Sequence, residues 1–523
     1  MVMTVPFLIN TEGTDNTPLA SLIAVLLIPH ASEILLPRPR RGKDNAALTL
    51  NCVTMRCPGG VSKLGSGFVW RGVVEGFYGK PWTHAERMDM LSFMSEVGMN
   101  AYLYAPKDDP YHRRKWRIPY PPKKMASLKH LVSHARSVGI SFVFSLSPGL
   151  SLRYSDKSDV DALAAKMGVL HNEGVRDFAL LLDDIPAELA GEADRRAFGS
   201  LAAAQVALAN DVRERLQNMS PDTRLIVCPT QYHGDTSTDY AREMGAGLHP
   251  EIDIMWTGPN VCSQELSYEY ASAATAALRR PITFWDNYPV NDATMKGELH
   301  IGHYTGRSAQ LAEVSRGLFL NPMNQAEASK IALGAGAAYM NDPKRYDAED
   351  AWTASAAKVV GEASVEALYI FRDACAISPL HPSDPPLLTE IVDSAKHRMD
   401  RGALVEAAGI LSAHMYKMKA SAELLRTNSN KKLIQEIAPW LDEYTQWADI
   451  GIDIARAIEA ASSYAESLTP SGKTSAFSMR ALSVVGARNK LARMLSRAIG
   501  FRTRVCSDVL LRPGLEIVRR LRS

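Results

Sequence analysis

The sequence predicts a (β/α)8 barrel, the TIM-barrel form of the α/β class, followed by an α-helical bundle domain. Three observations carry this reading. Eight β-rich runs alternate with amphipathic helical stretches, most of those runs stop abruptly on polar clusters, and beyond about residue 350 only helical periodicity remains. Eight strand–helix repeats over roughly 250 residues fit a closed barrel better than an open doubly wound sheet. No Gly-rich phosphate loop follows the first strand, which weighs against a nucleotide-binding fold.

Taken in order, residues 1–67 lack periodicity and contain the basic, proline-bearing patch Pro37-Arg38-Pro39-Arg40-Arg41, so they read as a disordered leader. The apolar stretch Leu19–Ile28 has no Lys or Arg before it, the first being Arg38. Export signals begin with positive charge, so a cytoplasmic location is expected and secretion is the alternative.

The barrel is expected over 68–350. Its strands are read at Gly72–Tyr78, Ala101–Pro106, Ser141–Leu146, Phe178–Asp183, Leu225–Pro229, Asp253–Trp256, Ile282–Trp285 and Leu318–Asn321. The first helix opens on Thr83-His84-Ala85-Glu86, a capping box, and Gly98 supplies its stop. Met88, Leu91, Met94 and Val97 are read as its apolar face. Further helices are expected at Met125–Val138, Asp159–Asn172, Arg195–Gln217, Ser263–Leu278 and Gln325–Tyr339. Residues 351–390, with four prolines in Ser378–Pro386, read as a connecting segment, and 391–501 as the bundle. The basic stretch 502–523 reads as a solvated tail.

Composition narrows the function. Of the 523 residues, 59 are Lys or Arg and 57 are Asp or Glu, a formal charge of +2. So even a balance gives no field for a polyanion, and nucleic acid is not an expected partner. No apolar run reaches the ~20 residues that a membrane span needs. Six scattered cysteines form neither a disulfide framework nor paired metal knuckles, and reduced thiols are the simpler reading. His130 and His134 have the spacing of two ligands on one helix face, but no Glu follows His130 and no third ligand is legible. No metal or other cofactor is expected, and there is no G-x-S-x-G nucleophile elbow.

Active sites on this barrel gather at the C-terminal strand ends. Seven of those ends are polar: Glu75–Gly79, Pro106–Asp109, Asp183-Asp184, Gln231–His233, Trp256–Gly258, Trp285–Asn287 and Asn321-Pro322. The run Phe178–Leu182 is wholly apolar and stops at two carboxylates. Adjacent strand residues point to opposite faces, so both reach one mouth only if the backbone turns there. Two close carboxylates do not both ionise easily, so one pKa is expected to rise towards the range of a general acid. A helix cap or surface pair is the bland alternative for Asp183 and Asp184. Trp285, Asn287 and Asp292 have the side-chain types of a sugar site, against a buried structural Trp as the alternative for Trp285.

This ordered set of motifs, completed by Asn291-Asp292, resembles glycoside hydrolase family 84, which includes protein O-GlcNAcases and bacterial β-N-acetylglucosaminidases. The match runs over roughly residues 70 to 345. The resemblance implies retaining, substrate-assisted hydrolysis of terminal β-linked N-acetylglucosamine through an oxazoline, an exception to the two-carboxylate displacement scheme. It implies that Asp183 orients the acetamido group and that Asp184 is the general acid, then base. Tyr232 would steady the acetamido oxygen, and Gly76, Lys107 and Asn321 would meet sugar hydroxyls. Asn287 would bind the acetamido oxygen or orient its carboxylate partner. Asp292 would grip the 4- and 6-hydroxyls, and Trp285 would wall the N-acetyl pocket. The implied partner is a GlcNAc-bearing glycoconjugate or glycoprotein, with a homodimer through the helical domain left open. A barrel that only binds glycans, or a glycosidase of different sugar specificity, are the alternatives.

Overall fold

A computed structural model describes residues 67–467 and 474–520. The leader expected over 1–67 therefore lies outside the described residues but for its last position. Eight parallel strands close a barrel in sequence order, with β8 pairing back onto β1. They are β1 (Trp70–Glu75), β2 (Ala101–Tyr104), β3 (Ser141–Leu146), β4 (Asp177–Leu181), β5 (Arg224–Cys228), β6 (Asp253–Trp256), β7 (Ile282–Asp286) and β8 (Ser315–Leu320).

The unbroken apolar runs are explained by burial on both faces. Along β4, Ala179 and Leu181 join Trp70, Val74, Leu103, Val143, Ile226 and Phe319 inside the barrel. Phe178, Leu180 and Leu182 instead pack outward under the helices. The strands end one to three residues before several of the expected boundaries, because pairing stops where the polar rim begins.

The outer ring comprises α1 (His84–Glu96), α2 (Pro122–Ser137), α3 (Lys157–Asn172), α4 (Glu192–Ala197), α5 (Leu201–Met219), α6 (Asp239–Gly247), α7 (Tyr268–Leu278), the short α8 (Leu311–Val314) and α9 (Ala326–Asn341). The Thr83–Glu86 capping box is formed, and Gly98 takes the left-handed conformation after α1. The buried face of α1 is Met90, Leu91, Phe93 and Met94. A three-residue step falls short of a full turn, so Met88 and Val97 drift to the edge of that face. The single helix expected over Arg195–Gln217 is two, because Phe198 is extended and Ser200 starts a new helix by accepting from the Ala203 N–H at 2.9 Å.

Beyond the barrel follow α10 (Ala348–Val360), α11 (Val365–Ala374), α12 (Pro386–Asp400), α13 (Leu404–Arg426), α14 (Lys431–Ser467), α15 (Thr474–Ala498) and α16 (Leu511–Arg520). The stretch 351–390 differs from the connecting segment expected. Trp352, Val359, Leu368 and Phe371 lie in a second core with Leu299, Ile301, Met323 and Ile331 from the barrel side. The prolines only break the chain between α11 and α12. The expected solvated tail is likewise folded in, with Val505, Cys506, Leu511, Ile517 and Val518 buried in the same core.

One carboxylate joins bundle to barrel. Glu436 of α14 accepts the Glu327 N–H at 2.9 Å and the Ala328 N–H at 2.9 Å, capping α9 just after the β8 end. Burial, with the charges of Glu327 and Glu86, pushes its pKa up to about 7 against those two hydrogen bonds. A carboxyl raised in the folded state favours folding below its unfolded pKa, and that contribution is lost as pH climbs through about 7. Glu436→Gln keeps an acceptor oxygen without the charge. It should be more stable than the native chain at pH 8 by on the order of 2 kcal/mol, with the gap closing towards pH 5. Melting curves at both pH values check this; a gap that does not change with pH contradicts it.

Candidate active site

Strand parity places Asp183 in line with Ala179 and Leu181, facing the barrel mouth, and would send Asp184 outward beside Leu182. The backbone turns at this point. Asp184 has φ 52°, in the left-handed region, where Asp and Asn are the best tolerated residues after Gly. Cysteine 228 holds the approach, since the Leu182 N–H donates to its carbonyl at 2.8 Å. Arg113 donates to the Asp184 carbonyl at 3.3 Å. The two carboxylates thus open on one side, Asp183 buried and Asp184 partly exposed.

Lys107, carried by the loop after β2, is buried between them. Its ammonium donates to Asp183 Oδ2 and lies 3.4 Å from Asp184 Oδ2. Burial lowers the affinity of Lys107 for its proton, but Asp183, Tyr78 and Asp184 more than offset this, so it stays charged. Two phenols complete the shell of Asp184. Tyr78 from the β1 end donates to Oδ2 at 2.6 Å, and Tyr232 after β5 donates to Oδ1 at 2.9 Å. Arg113 in turn donates to the Tyr78 oxygen at 3.1 Å.

These contacts reverse one expectation. Burial alone pushes Asp184 up, but Lys107, Tyr78, Tyr232 and Arg113 together hold it below the ordinary carboxylate range. The reason is that each of them favours the ionised form. The carboxyl that rises at this rim is Asp292, chiefly through burial, although its Oδ2 accepts the Tyr78 N–H at 2.7 Å.

The remaining expected residues form a second, connected group. Trp285 Nε1 and Asn321 Nδ2 both donate to Asn287 Oδ1 at 2.9 Å, and Gly76 N–H donates to Asn321 Oδ1 at 3.2 Å. Asn287 Nδ2 gives one of its two hydrogens to the Val261 carbonyl at 2.7 Å. Gly76 is required for packing: a Cβ there would lie 2.2 Å from Trp285 Cζ2. Lys107 bridges the groups, its Nζ 5.4 Å from the Tyr78 ring centre and 5.7 Å from that of Trp285. All nine expected residues, Gly76, Lys107, Asp183, Asp184, Tyr232, Trp285, Asn287, Asp292 and Asn321, thus fall in one network. Below it, Arg307 pairs with buried Asp286 at 2.6 Å and Tyr304 donates to the same carboxylate, fixing the β7 end.

Sequence reading gave no role to Tyr78 or Arg113. Tyr78 lies within the Glu75–Gly79 strand-end cluster, which was its signal; Arg113 sits in the loop after β2 with no pattern to mark it. The histidine pair is elsewhere. His130 meets His84 at 2.9 Å and His134 meets Ser92 at 3.0 Å, between α1 and α2. Among the described residues no cluster of His, Cys, Asp or Glu is placed to hold a metal ion, and no helix is long and apolar enough to cross a membrane.

Known proteins are similar to this chain. Residues 71–373 match the family described as β-N-acetylglucosaminidase. The protein O-GlcNAcase of Rattus norvegicus is 34% identical over 68% of this chain and 38% of its own length. That of Mus musculus is 34% identical over 63% of the chain and 36% of its length. The chain thus spans well under half of these relatives. Among solved structures, an O-GlcNAc hydrolase mutant from Thermobaculum terrenum superposes with a TM-score of 0.82 at 36% identity, covering 87% of this chain and 95% of that one. With that fold and that match over more than half its length, the chain belongs to the β-N-acetylglucosaminidase family, glycoside hydrolase family 84.

Proposed function

We infer that this chain is a retaining β-N-acetylglucosaminidase that removes terminal β-linked N-acetylglucosamine from a glycoprotein or other glycoconjugate by substrate-assisted catalysis. The observation that carries the reading is the consecutive pair Asp183 and Asp184 turned onto one mouth, with the buried ammonium of Lys107 between them.

In this mechanism the carbonyl oxygen of the substrate's 2-acetamido group attacks C1. The C1–O bond to the leaving group breaks, Asp184 gives that oxygen its proton, and an oxazoline forms. Water then attacks C1, losing its proton to Asp184, and the ring opens with the original configuration restored. Asp183 faces the acetamido N–H and stabilises the positive charge that grows on nitrogen, and Lys107 pairs with it. Asp184 must arrive protonated. Displacing Tyr78 and Tyr232 by a sugar removes two donors that favour the carboxylate, and excluding water adds to the rise. Binding therefore moves Asp184 towards the general-acid state. Asn287, Asn321, Asp292, Gly76 and Trp285 are read as the sugar contacts.

The test is a substrate pair. 4-Nitrophenyl N-acetyl-β-glucosaminide should be cleaved and the plain β-glucoside should not; comparable cleavage of both would defeat the mechanism. A cytoplasmic location belongs to the same reading, supported by free thiols at Cys228, Cys262, Cys375 and Cys506; fractionation that places the native protein outside the cell would overturn it. So does a homodimer through the helical domain, supported by Met479, Leu482 and Val485 exposed along α15. Light scattering at the monomer mass of 57.3 kDa would remove that last element.

A further inference from the structure

Four buried polar atoms near the catalytic pair have no hydrogen-bond partner: His112 Nε2, Arg113 Nε, Ser147 Oγ and Asp183 Oδ1. They stand on neighbouring segments. His112 lies in the loop after β2, Ser147 follows β3, and Asp183 follows β4. The β3–β4 register sets Leu146 beside Leu180, and the Ser147 N–H donates to the His112 carbonyl at 3.0 Å.

The hydrogens on these atoms follow from chemistry. His112 Nδ1 is 2.9 Å from the Ser145 carbonyl, which can only accept, so Nδ1 carries the hydrogen. Burial pushes the imidazole down to about 4, against the Ser145 carbonyl, Asp109 and Asp183, which raise it; Lys107 adds to the lowering. At neutral pH the ring is neutral and Nε2 is an acceptor. Asp183 Oδ1 is an acceptor too. The Ser147 hydroxyl and the Arg113 Nε–H each have a hydrogen to give, but neither makes a hydrogen bond to His112 Nε2 or Asp183 Oδ1. Buried polar groups are satisfied in folded proteins, so a further donor closes the set, and a water shared by two to four polar atoms is the ordinary one. Meanwhile Asp183 Oδ2 is committed to Lys107, leaving Oδ1 buried and without a partner.

We propose that His112, with Ser147, is a positioning residue for Asp183: through one buried water the two hold Oδ1 from inside, keeping Oδ2 fixed towards Lys107 and the reacting acetamido group. The proposal rests on the role given to Asp183 under the proposed function.

Its test separates the two ring nitrogens. In His112→Asn the side-chain amide can still donate to the Ser145 carbonyl but nothing replaces Nε2, whereas His112→Gln places an amide where Nε2 stood. Kinetics on 4-nitrophenyl N-acetyl-β-glucosaminide should show kcat reduced about 10- to 100-fold in His112→Asn, with KM little changed and most of the loss recovered in His112→Gln. Ser147→Ala should follow His112→Asn. The other groups facing Asp183 are unchanged in these variants: Lys107, Arg113, Asp184, Cys228 and Tyr232. Near-native kcat in His112→Asn, or a greater loss in His112→Gln, overturns the proposal by leaving the ring as a loop anchor through Nδ1. Losses that only track the melting temperature overturn it as well. A native enzyme that fails to cleave the substrate overturns the proposed function and this inference together; active native enzyme with unaffected variants overturns this inference alone.

Discussion

Asp184→Asn should lower turnover of an N-acetyl-β-glucosaminide with a poor leaving group by ~10²–10⁴, the usual range for loss of a general acid–base group. The loss should be much smaller on the glycosylation step when the leaving group is a nitrophenolate, which departs without a proton. The backbone makes the choice of variant matter. Position 184 is left-handed, and Ala there adds strain of roughly 1–2 kcal/mol, whereas Asn occupies that region readily. Equal activity losses in Asp184→Asn and Asp184→Ala therefore identify the missing proton, and a large difference identifies backbone distortion. Steady-state and single-turnover rates against two leaving groups decide it. Near-native turnover in Asp184→Asn on the poor leaving group would remove Asp184 from its role.

Asp183→Ala should be as damaging, with a different signature. In the proposed mechanism Asp183 acts on the acetamido group and not on the leaving oxygen, so its loss should depend little on leaving-group acidity. It should also cost stability. Lys107 is buried, and with Asp183 gone its nearest carboxylate oxygen is Asp184 Oδ2 at 3.4 Å. Breaking a buried ion pair on one side costs about 3–5 kcal/mol, tempered here by that second carboxylate. Asp183→Asn keeps the shape and should lose turnover with a smaller drop in melting temperature. If Asp183→Asn turned over normally, the charge on Asp183 would have no part in catalysis.

How much of this was legible in the sequence follows the range of the interactions. The strands and the position of the carboxylate doublet are legible because a run of apolar residues buried on both faces ends sharply on Asp183 and Asp184. That both acids share one mouth was readable only as a requirement; the left-handed backbone of Asp184 that satisfies it leaves no trace in a pattern. The direction of its pKa was not readable. It is set by Lys107, Tyr78 and Tyr232, 77, 106 and 48 residues away in the chain, which the closed barrel brings to the same carboxylate. The stretch 351–390 reads as a connector because its four prolines mask Trp352, Leu368 and Phe371, whose partners Leu299, Ile301 and Met323 belong to the barrel side. The last helix was misjudged because its arginines hide the spacing of Leu511, Gly514, Ile517 and Val518, which is that of one buried face.

The central claim is that the substrate's own acetamido oxygen is the nucleophile, with the acetamido N–H held by Asp183. Aryl glucosaminides bearing acetyl, fluoroacetyl, difluoroacetyl and trifluoroacetyl groups on nitrogen measure this directly, because each fluorine weakens the carbonyl oxygen as a nucleophile. A steep, regular fall in kcat/KM along the series is expected. A flat series would contradict the account, since an enzyme carboxylate would then be making the bond to C1.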